Sequence, residues 1–254
     1  LSLPTKHGGA SLGHATQKLR EFKSQLSRQD SRVLPLTASA ARAAAASSMY
    51  HLIDTPEKFT DFVERLSAQS EFAFDTETTG LNPVESDIVG LSVAWRAGEA
   101  YYLPVRAVMG HTLALSDVVD RLKPIFEDPS IAKVGQNAKY DMLVLRQLGI
   151  VVAGLQFDTM LASYLLDPMG RSHSLDAMAK DFLGHVMIPI TDLIGKGKNQ
   201  LTMDQVDTAH VCEYAAEDAD YTWRLKELLE PRMVGSHVEP LFRDTEMPLV
   251  EVLT

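Results

Sequence analysis

Phe72-Ala73-Phe74-Asp75-Thr76-Glu77-Thr78-Thr79-Gly80-Leu81 decides how the chain is read. A short apolar run, Phe72 to Phe74, leads into two carboxylates and then a Thr-Thr-Gly turn. Phe and Ala bounded by turn residues predict a buried strand. Residues i and i+2 share one face of a strand, so Asp75 and Glu77 point the same way. Two like charges side by side at the end of a buried strand repel, and water alone compensates them poorly. A divalent cation compensates them well, and hard oxygen ligands suit Mg2+ or Mn2+. A lone Asp-x-Glu is better explained by a strand end fraying into a polar turn, so the rest of the chain has to answer it.

The 254-residue chain has room for one large domain or two small ones. Its hydrophobic share of 45% and charged share of 23% are those of an ordinary globular protein, which builds a core without staples. One cysteine, Cys212, rules out an intrachain disulfide and points to a reducing compartment. No apolar run reaches the length of a membrane span, and no secretory signal is visible. The expectation is a cytoplasmic monomer with no membrane partner. A formal net charge of −10 argues against a generic nucleic-acid coat. It does not argue against a nuclease, whose carboxylates add negative charge while bound cations supply the positive field.

Residues 1–49 differ in composition from the rest of the chain. Lys6, Lys18, Arg20, Lys23, Arg28, Arg32 and Arg42 face only Glu21 and Asp30, in a stretch rich in Ala and Ser. A transit peptide has this composition, which would make the location organellar. A flexible linker or tail shares it, and the missing initial Met favours a linker from a preceding domain. The globular part opens near Tyr50. Thr55-Pro56-Glu57 predicts a helix with Thr55 as cap and Pro56 at the first position, burying Phe59, Phe62, Val63 and Leu66. Ile88 to Trp95 and Ala100 to Pro104 read as strands joined by a tight turn at Gly98-Glu99, hence antiparallel. Ser116 is expected to cap a helix running to about Glu127, and Ala132 to Gly135 to form a short strand ending at Asn137. Beyond it everything reads as helical: 137–148, 158–166, 174–183, about 204–209, and a long helix from about 208 to 230. The fold class is therefore α/β, a mixed sheet with an antiparallel three-strand start flanked by helices.

Two later elements answer the first carboxylates. In Val134-Gly135-Gln136-Asn137-Ala138-Lys139-Tyr140-Asp141, Asn137 is a good helix cap. That places Asp141 one turn into the helix, with Leu145 and Leu148 on its side. Taken alone, Asp141 is also explained by the helix dipole. In Glu213-Tyr214-Ala215-Ala216-Glu217-Asp218-Ala219-Asp220, Tyr214 and Asp218 lie four apart on one face. The small pair Ala215-Ala216 permits close approach of another element. Glu213, Glu217 and Asp220 read as a solvated acidic stripe.

Asp-x-Glu at a strand end, Asn-x-x-x-Asp at a helix start and Tyr-x-x-x-Asp in a late helix resemble the three motifs of the DEDD exonucleases, which have a ribonuclease H-like fold. Val134 to Asp141, the loop Gly195-Lys196-Gly197-Lys198-Asn199-Gln200 and Tyr214 to Asp220 resemble, more closely, the Klenow-like proofreading domain of family A DNA polymerases. The likeness runs from about Tyr50 onward. It implies a 3′–5′ exonuclease domain over 50–238, and 239–254, ending in Glu246-Met247-Pro248-Leu249-Val250, as the truncated start of a polymerase domain in cis. His-type members carry a His five positions before the last Asp, where this chain has Glu213. Tyr-type members carry a Tyr four before it, as Tyr214 stands here.

The resemblance implies two divalent ions, Mg2+ foremost with Mn2+ or Zn2+ as alternatives, about 3.5–4 Å apart. Asp75 would bridge both, Glu77 and Asp218 would hold the first, and Asp141 the second. Tyr214 would orient the attacking water, because a phenol with pKa near 10 is a poor base at neutral pH. The substrate would be the 3′ end of single-stranded DNA. Thr78, Leu81 and Asn137 match substrate-contacting positions, although capping alone would explain Asn137 and core packing Leu81. Lys196 and Lys198 would contact backbone phosphates or simply be solvated; their loop lacks the Walker spacing. Near Ile190, where relatives often carry an aromatic, this chain has only aliphatics. An exoribonuclease of the same superfamily shares the motifs. A non-catalytic scaffold shares the fold, but intact carboxylates at Asp75, Glu77, Asp141 and Asp218 count against it.

Overall fold

Alternation along strand β2 (Glu71–Thr78) sets the two faces of the sheet in the computed structural model, which describes residues 48–254. The tail expected over 1–49 lies, but for its last two residues, outside the described residues. Phe72 and Phe74 point one way, each ring edge-on to Phe126 at 5.2 Å. Ala73, Asp75 and Glu77 alternate to the other side.

Around β2 the strands β1 (Met49–Leu52), β3 (Ile88–Arg96), β4 (Glu99–Pro104), β5 (Ala132–Gly135) and β6 (Leu155–Asp158) form one six-stranded sheet, in the order β1-β4-β3-β2-β5-β6. The stretch β2-β3-β4 is the predicted antiparallel meander. β5 and β6 continue parallel to β2, and β1 runs parallel to β4. The sequence predicts neither β1 nor β6: four residues each are too few for periodicity to announce a strand.

The helices are α1 (Pro56–Ser67), α2 (Leu115–Phe126), α3 (Lys139–Gln147), α4 (Thr159–Leu166), α5 (Leu175–Leu183), α6 (Ile190–Ile194) and α7 (Thr208–Met233). Thr55 caps α1 as expected, accepting from the Lys58 N–H at 3.4 Å. Ser116 does not cap α2, which begins one residue earlier behind Ala114; its hydroxyl turns to Asp117 instead. The helix expected near 204–209 is a single 3-10 turn, Met203–Gln205, closed by a reciprocal cap between Thr202 and Gln205.

α7 crosses the sheet with Ala215, Ala216 and Ala219 completely buried, the close approach that the small residues allow. Its acidic stripe is only partly solvated. Glu213 is exposed, but Glu217 and Asp220 are buried. The Asp220 carboxylate accepts from the Tyr50 hydroxyl at 3.0 Å, the Gly98 N–H at 2.7 Å and both arms of Arg224. It therefore pins β1 and the β3–β4 turn to α7. Glu217 accepts from the Ile188 N–H at 2.7 Å and meets His185 Nε2 at 2.8 Å, fixing the segment that leads into α6. Buried carboxylates persist only with such partners, and all of them but Arg224 are remote in sequence. Helical pieces at Glu239–Leu241, Phe242–Glu246 and Met247–Val252 close the structure, with Phe242, Met247 and Val250 in the main core. No helix among the described residues is long and apolar enough to cross a membrane.

Candidate active site

The end of β2, the first turn of α3 and the middle of α7 converge on one cavity of about 670 Å³. Asp75, Glu77 and Asp218 bring carboxylate oxygens within 4.8 Å of one another. Asp141 lines the same cavity, with Oδ1 held by the Thr76 N–H at 2.9 Å and the Thr76 hydroxyl at 2.6 Å. One of its oxygens is thus committed to Thr76 of β2, while the other has no hydrogen-bond partner among the described residues.

The turn that launches α3 differs from expectation. Asn137 is not a side-chain cap: its backbone is left-handed, φ 56°, and α3 has no side-chain cap at all. Asn is one of the few residues that tolerate this region. Asp158 instead takes the backbone amides of the turn that precedes the helix. Its carboxylate accepts from Asn137 at 3.3 Å and Ala138 at 2.8 Å on one side, and from Met160 at 2.9 Å and Leu161 at 3.1 Å on the other. Asp158 therefore caps α4 and also positions the turn that carries Asp141. The sequence reading misses both Asp158 and Thr76. An Asp just before an apolar helical run is a cap signal, but the second duty of Asp158 has no local signature. Nor has the clamp from Thr76.

Tyr214, Thr78, Leu81 and Asn137 also line the cavity. Leu81 is 94% exposed, which removes the core-packing alternative. The Tyr140 hydroxyl lies 2.6 Å from Thr78 Oγ1 and 2.8 Å from the Gly80 carbonyl oxygen, bracing the loop that presents Leu81. Ile190, Ile194, Leu201 and Met203 form an aliphatic wall. Lys196 and Lys198 are exposed on the neighbouring loop and do not line the cavity.

Burial pushes the Asp75 carboxyl well above the usual carboxylate range, and the charges of Asp141 and Asp218 push it further. Glu77 is raised by burial and then by Asp75 and Asp141. Asp218 is raised by burial and then by Glu77 and Glu217. Burial lifts Asp141 to about 7 against the two bonds from Thr76. A clustered set of hard, buried oxygen donors that repel one another fits divalent cations such as Mg2+ or Mn2+.

The same shifts carry a stability signature. The folded chain holds protons on these carboxyls that the unfolded chain, with carboxyls near 4, has already released. Metal-free stability must then fall as pH rises through the folded values. In EDTA, the melting temperature is expected to drop by roughly 5–10 °C between pH 5.5 and 8. Saturating Mg2+ should flatten the slope, and Asp75→Asn with Glu77→Gln should remove most of it. A wild-type slope in EDTA no steeper than the variant's would sink this account.

The residues 50–234 match a family model described as a 3′–5′ exonuclease. The chain is similar to DNA polymerase I of Pseudomonas aeruginosa, 40% identical over 210 residues, covering 80% of this chain and 23% of that protein. It is similar to DNA polymerase I of Chloroflexus aurantiacus, 41% identical over 200 residues, covering 76% and 21%. The chain thus spans about a fifth of the length of these relatives. Among solved structures, Escherichia coli RNase D superposes with a TM-score of 0.62 at 19% identity, covering 80% of this chain and 50% of that one. Brucella melitensis NrnC superposes with a TM-score of 0.53 at 22% identity, covering 81% and 87%. At these identities the two structures establish the ribonuclease H-like fold alone.

Proposed function

The chain belongs to the 3′–5′ exonuclease domain family of DNA polymerase I-type proteins, and from that premise we propose that it edits DNA, removing nucleotides from a single-stranded or frayed 3′ end. The observation that carries the proposal is the trio Asp75, Glu77 and Asp218, with oxygens within 4.8 Å, opening beside the exposed Leu81 in one cavity.

A water oxygen bonds to the terminal phosphorus, the bond from that phosphorus to the 3′-oxygen of the preceding nucleotide breaks, and that oxygen leaves with a proton. The products are a nucleoside 5′-monophosphate and a strand one nucleotide shorter. Asp75, Glu77, Asp218 and the second oxygen of Asp141 would hold two divalent ions, Mg2+ first. Bound there, such ions supply Lewis-acid activation and neutralise the charge developing on the phosphoryl group. Tyr214 orients the water from its position beside Asp218. Leu81 packs on the terminal base, facing the aliphatic wall of Ile190 and Ile194. Thr78 and Asn137 line the path of the strand, and Lys196 and Lys198 meet phosphates further out. We place a polymerase domain in cis after this one and the protein in the bacterial cytoplasm. The relatives named above are bacterial and lend no support to a transit peptide. Their identity as DNA polymerases favours DNA over RNA.

A duplex cannot bring its terminal phosphodiester to a recessed carboxylate cluster without fraying, which costs a few kcal/mol of unstacking. Hydrolysis should be faster on single strands and mismatched ends than on matched ends, by roughly ten- to a hundredfold. The test digests 5′-labelled DNA and RNA in parallel with Mg2+, as single strands and as matched and mismatched duplexes. Equal rates on matched duplex and single strand would remove the editing role; faster RNA trimming would replace it with an exoribonuclease.

A further inference from the structure

We propose that Arg106, just past the end of β4, is a positioning residue that ties together two stretches of the cavity lining and so fixes the mouth through which the strand enters. This rests on the reading of that cavity as the seat of the 3′ end. The guanidinium bridges two carboxylates that are remote in sequence. Nη1 donates to Asp87 at 2.7 Å, and Nε donates to Asp204 at 3.1 Å. Each carboxylate belongs to a residue that is itself bonded to a threonine of the lining. Asp87 closes the loop after β2 on Thr79, donating its N–H to the Thr79 hydroxyl at 3.1 Å and accepting the Thr79 N–H on its carbonyl oxygen at 3.0 Å. Asp204 accepts from the Thr202 hydroxyl at 2.6 Å. The result is one continuous chain of contacts, from Thr79 through Asp87, Arg106 and Asp204 to Thr202. Thr79 and Thr202 line the cavity, whereas the three charged residues do not.

The two ends of this chain of contacts carry walls of the site. Thr79 begins the loop that presents Leu81, and Thr202 stands between Leu201 and Met203 of the aliphatic wall. Arg106 is seated by backbone bonds on both sides. Its N–H donates to the Val89 carbonyl oxygen of β3 at 3.1 Å, and the Val108 N–H donates to the Asp204 carbonyl oxygen at 2.7 Å. From that base the planar guanidinium presents a donor to each carboxylate at once. The Arg106 side chain is half exposed, so the two pairs add little to global stability. What they supply is preorganisation. Order already held in the free mouth is order that the incoming strand need not impose.

The test is Arg106→Ala in the full chain, with KM and kcat measured on single-stranded DNA at saturating Mg2+. KM is expected to rise roughly three- to tenfold, the scale of two coupled exposed ion pairs. The carboxylate trio is untouched, so kcat should stay within about twofold of wild type. Asp87→Ala separates bridging from direct binding of DNA. A bridge is broken from either end, so Asp87→Ala should raise KM about as much as Arg106→Ala, and the double variant should add less than about twofold to either. An Arg106 that held a backbone phosphate would instead be freed by Asp87→Ala, and KM would fall. A KM within about twofold of wild type in Arg106→Ala, or a lowered KM in Asp87→Ala, overturns the proposal. So does a loss in Arg106→Ala that falls on kcat rather than KM. A wild type that degrades no single strand would overturn the reading of the cavity as the seat of the 3′ end.

Discussion

Asp75→Ala combined with Glu77→Ala is expected to reduce nucleotide release by more than about a thousandfold, while the metal-free fold keeps or gains stability. The two halves of this expectation have one cause. Asp75 and Glu77 stand on one face at the end of β2, buried enough that each carboxyl is driven well above its usual range. At neutral pH that cost is borne by the folded state, and cations offset it only when bound. Removing both groups removes the repulsion along with the site. The strand does not depend on them: Phe72 and Phe74 anchor it against Phe126 on the other face, and Thr76 keeps its two bonds to Asp141. The measurement is release of labelled 3′-nucleotide with Mg2+, paired with melting in EDTA. Residual activity above a few per cent, or a melting temperature lowered by more than about 5 °C, would count against these carboxylates as the centre of the chemistry.

How much of this was legible depends on how local each cause is. The face shared by Asp75 and Glu77 follows from strand alternation, and the pairing of Tyr214 with Asp218 from helical spacing. Both are read within a few residues. The Thr55 cap and the β3–β4 hairpin are local too, and the structure agrees with them. Long-range chemistry is where the reading stops. Asp220 looks like a surface acid until Tyr50 and the Gly98 N–H close around it. Asn137 has the composition of a cap, but its backbone turns left-handed and Asp158, twenty-one residues later, holds the turn by the amides of Asn137 and Ala138. β6 is four residues long and is a strand because β5 lies beside it, not because its own pattern demands it. Helix ends are also weak where a polar side chain has two uses, as Ser116 shows.

Tyr214→Phe separates orientation from proton transfer. Tyr214 is half-buried in the cavity wall one turn before Asp218, and the ring packs against the cluster that holds Tyr102. Burial, then the charges of Asp218, Glu77 and Asp75, raise its phenol further above 10. A group so reluctant to ionise is a donor, not a base at neutral pH. Replacing it with Phe keeps the ring and deletes one hydrogen bond, so the chemical step should slow by roughly ten- to a thousandfold, by analogy with loss of one oriented donor. Divalent-ion affinity should change by less than about threefold, since the carboxylate trio is untouched. Asp218→Ala, by contrast, removes one of the three clustered carboxylates and should weaken both ion binding and rate. The pH profile divides the roles most sharply. If Tyr214 orients the attacking water, the rising limb of the single-turnover rate survives in Tyr214→Phe at a lower plateau, because ionisation of the water still sets it. A tyrosine that took the proton would carry that limb away with its hydroxyl. Single-turnover rates from pH 5.5 to 9 at saturating Mg2+, for wild type and Tyr214→Phe, distinguish the two, and a vanished limb would reverse the assignment.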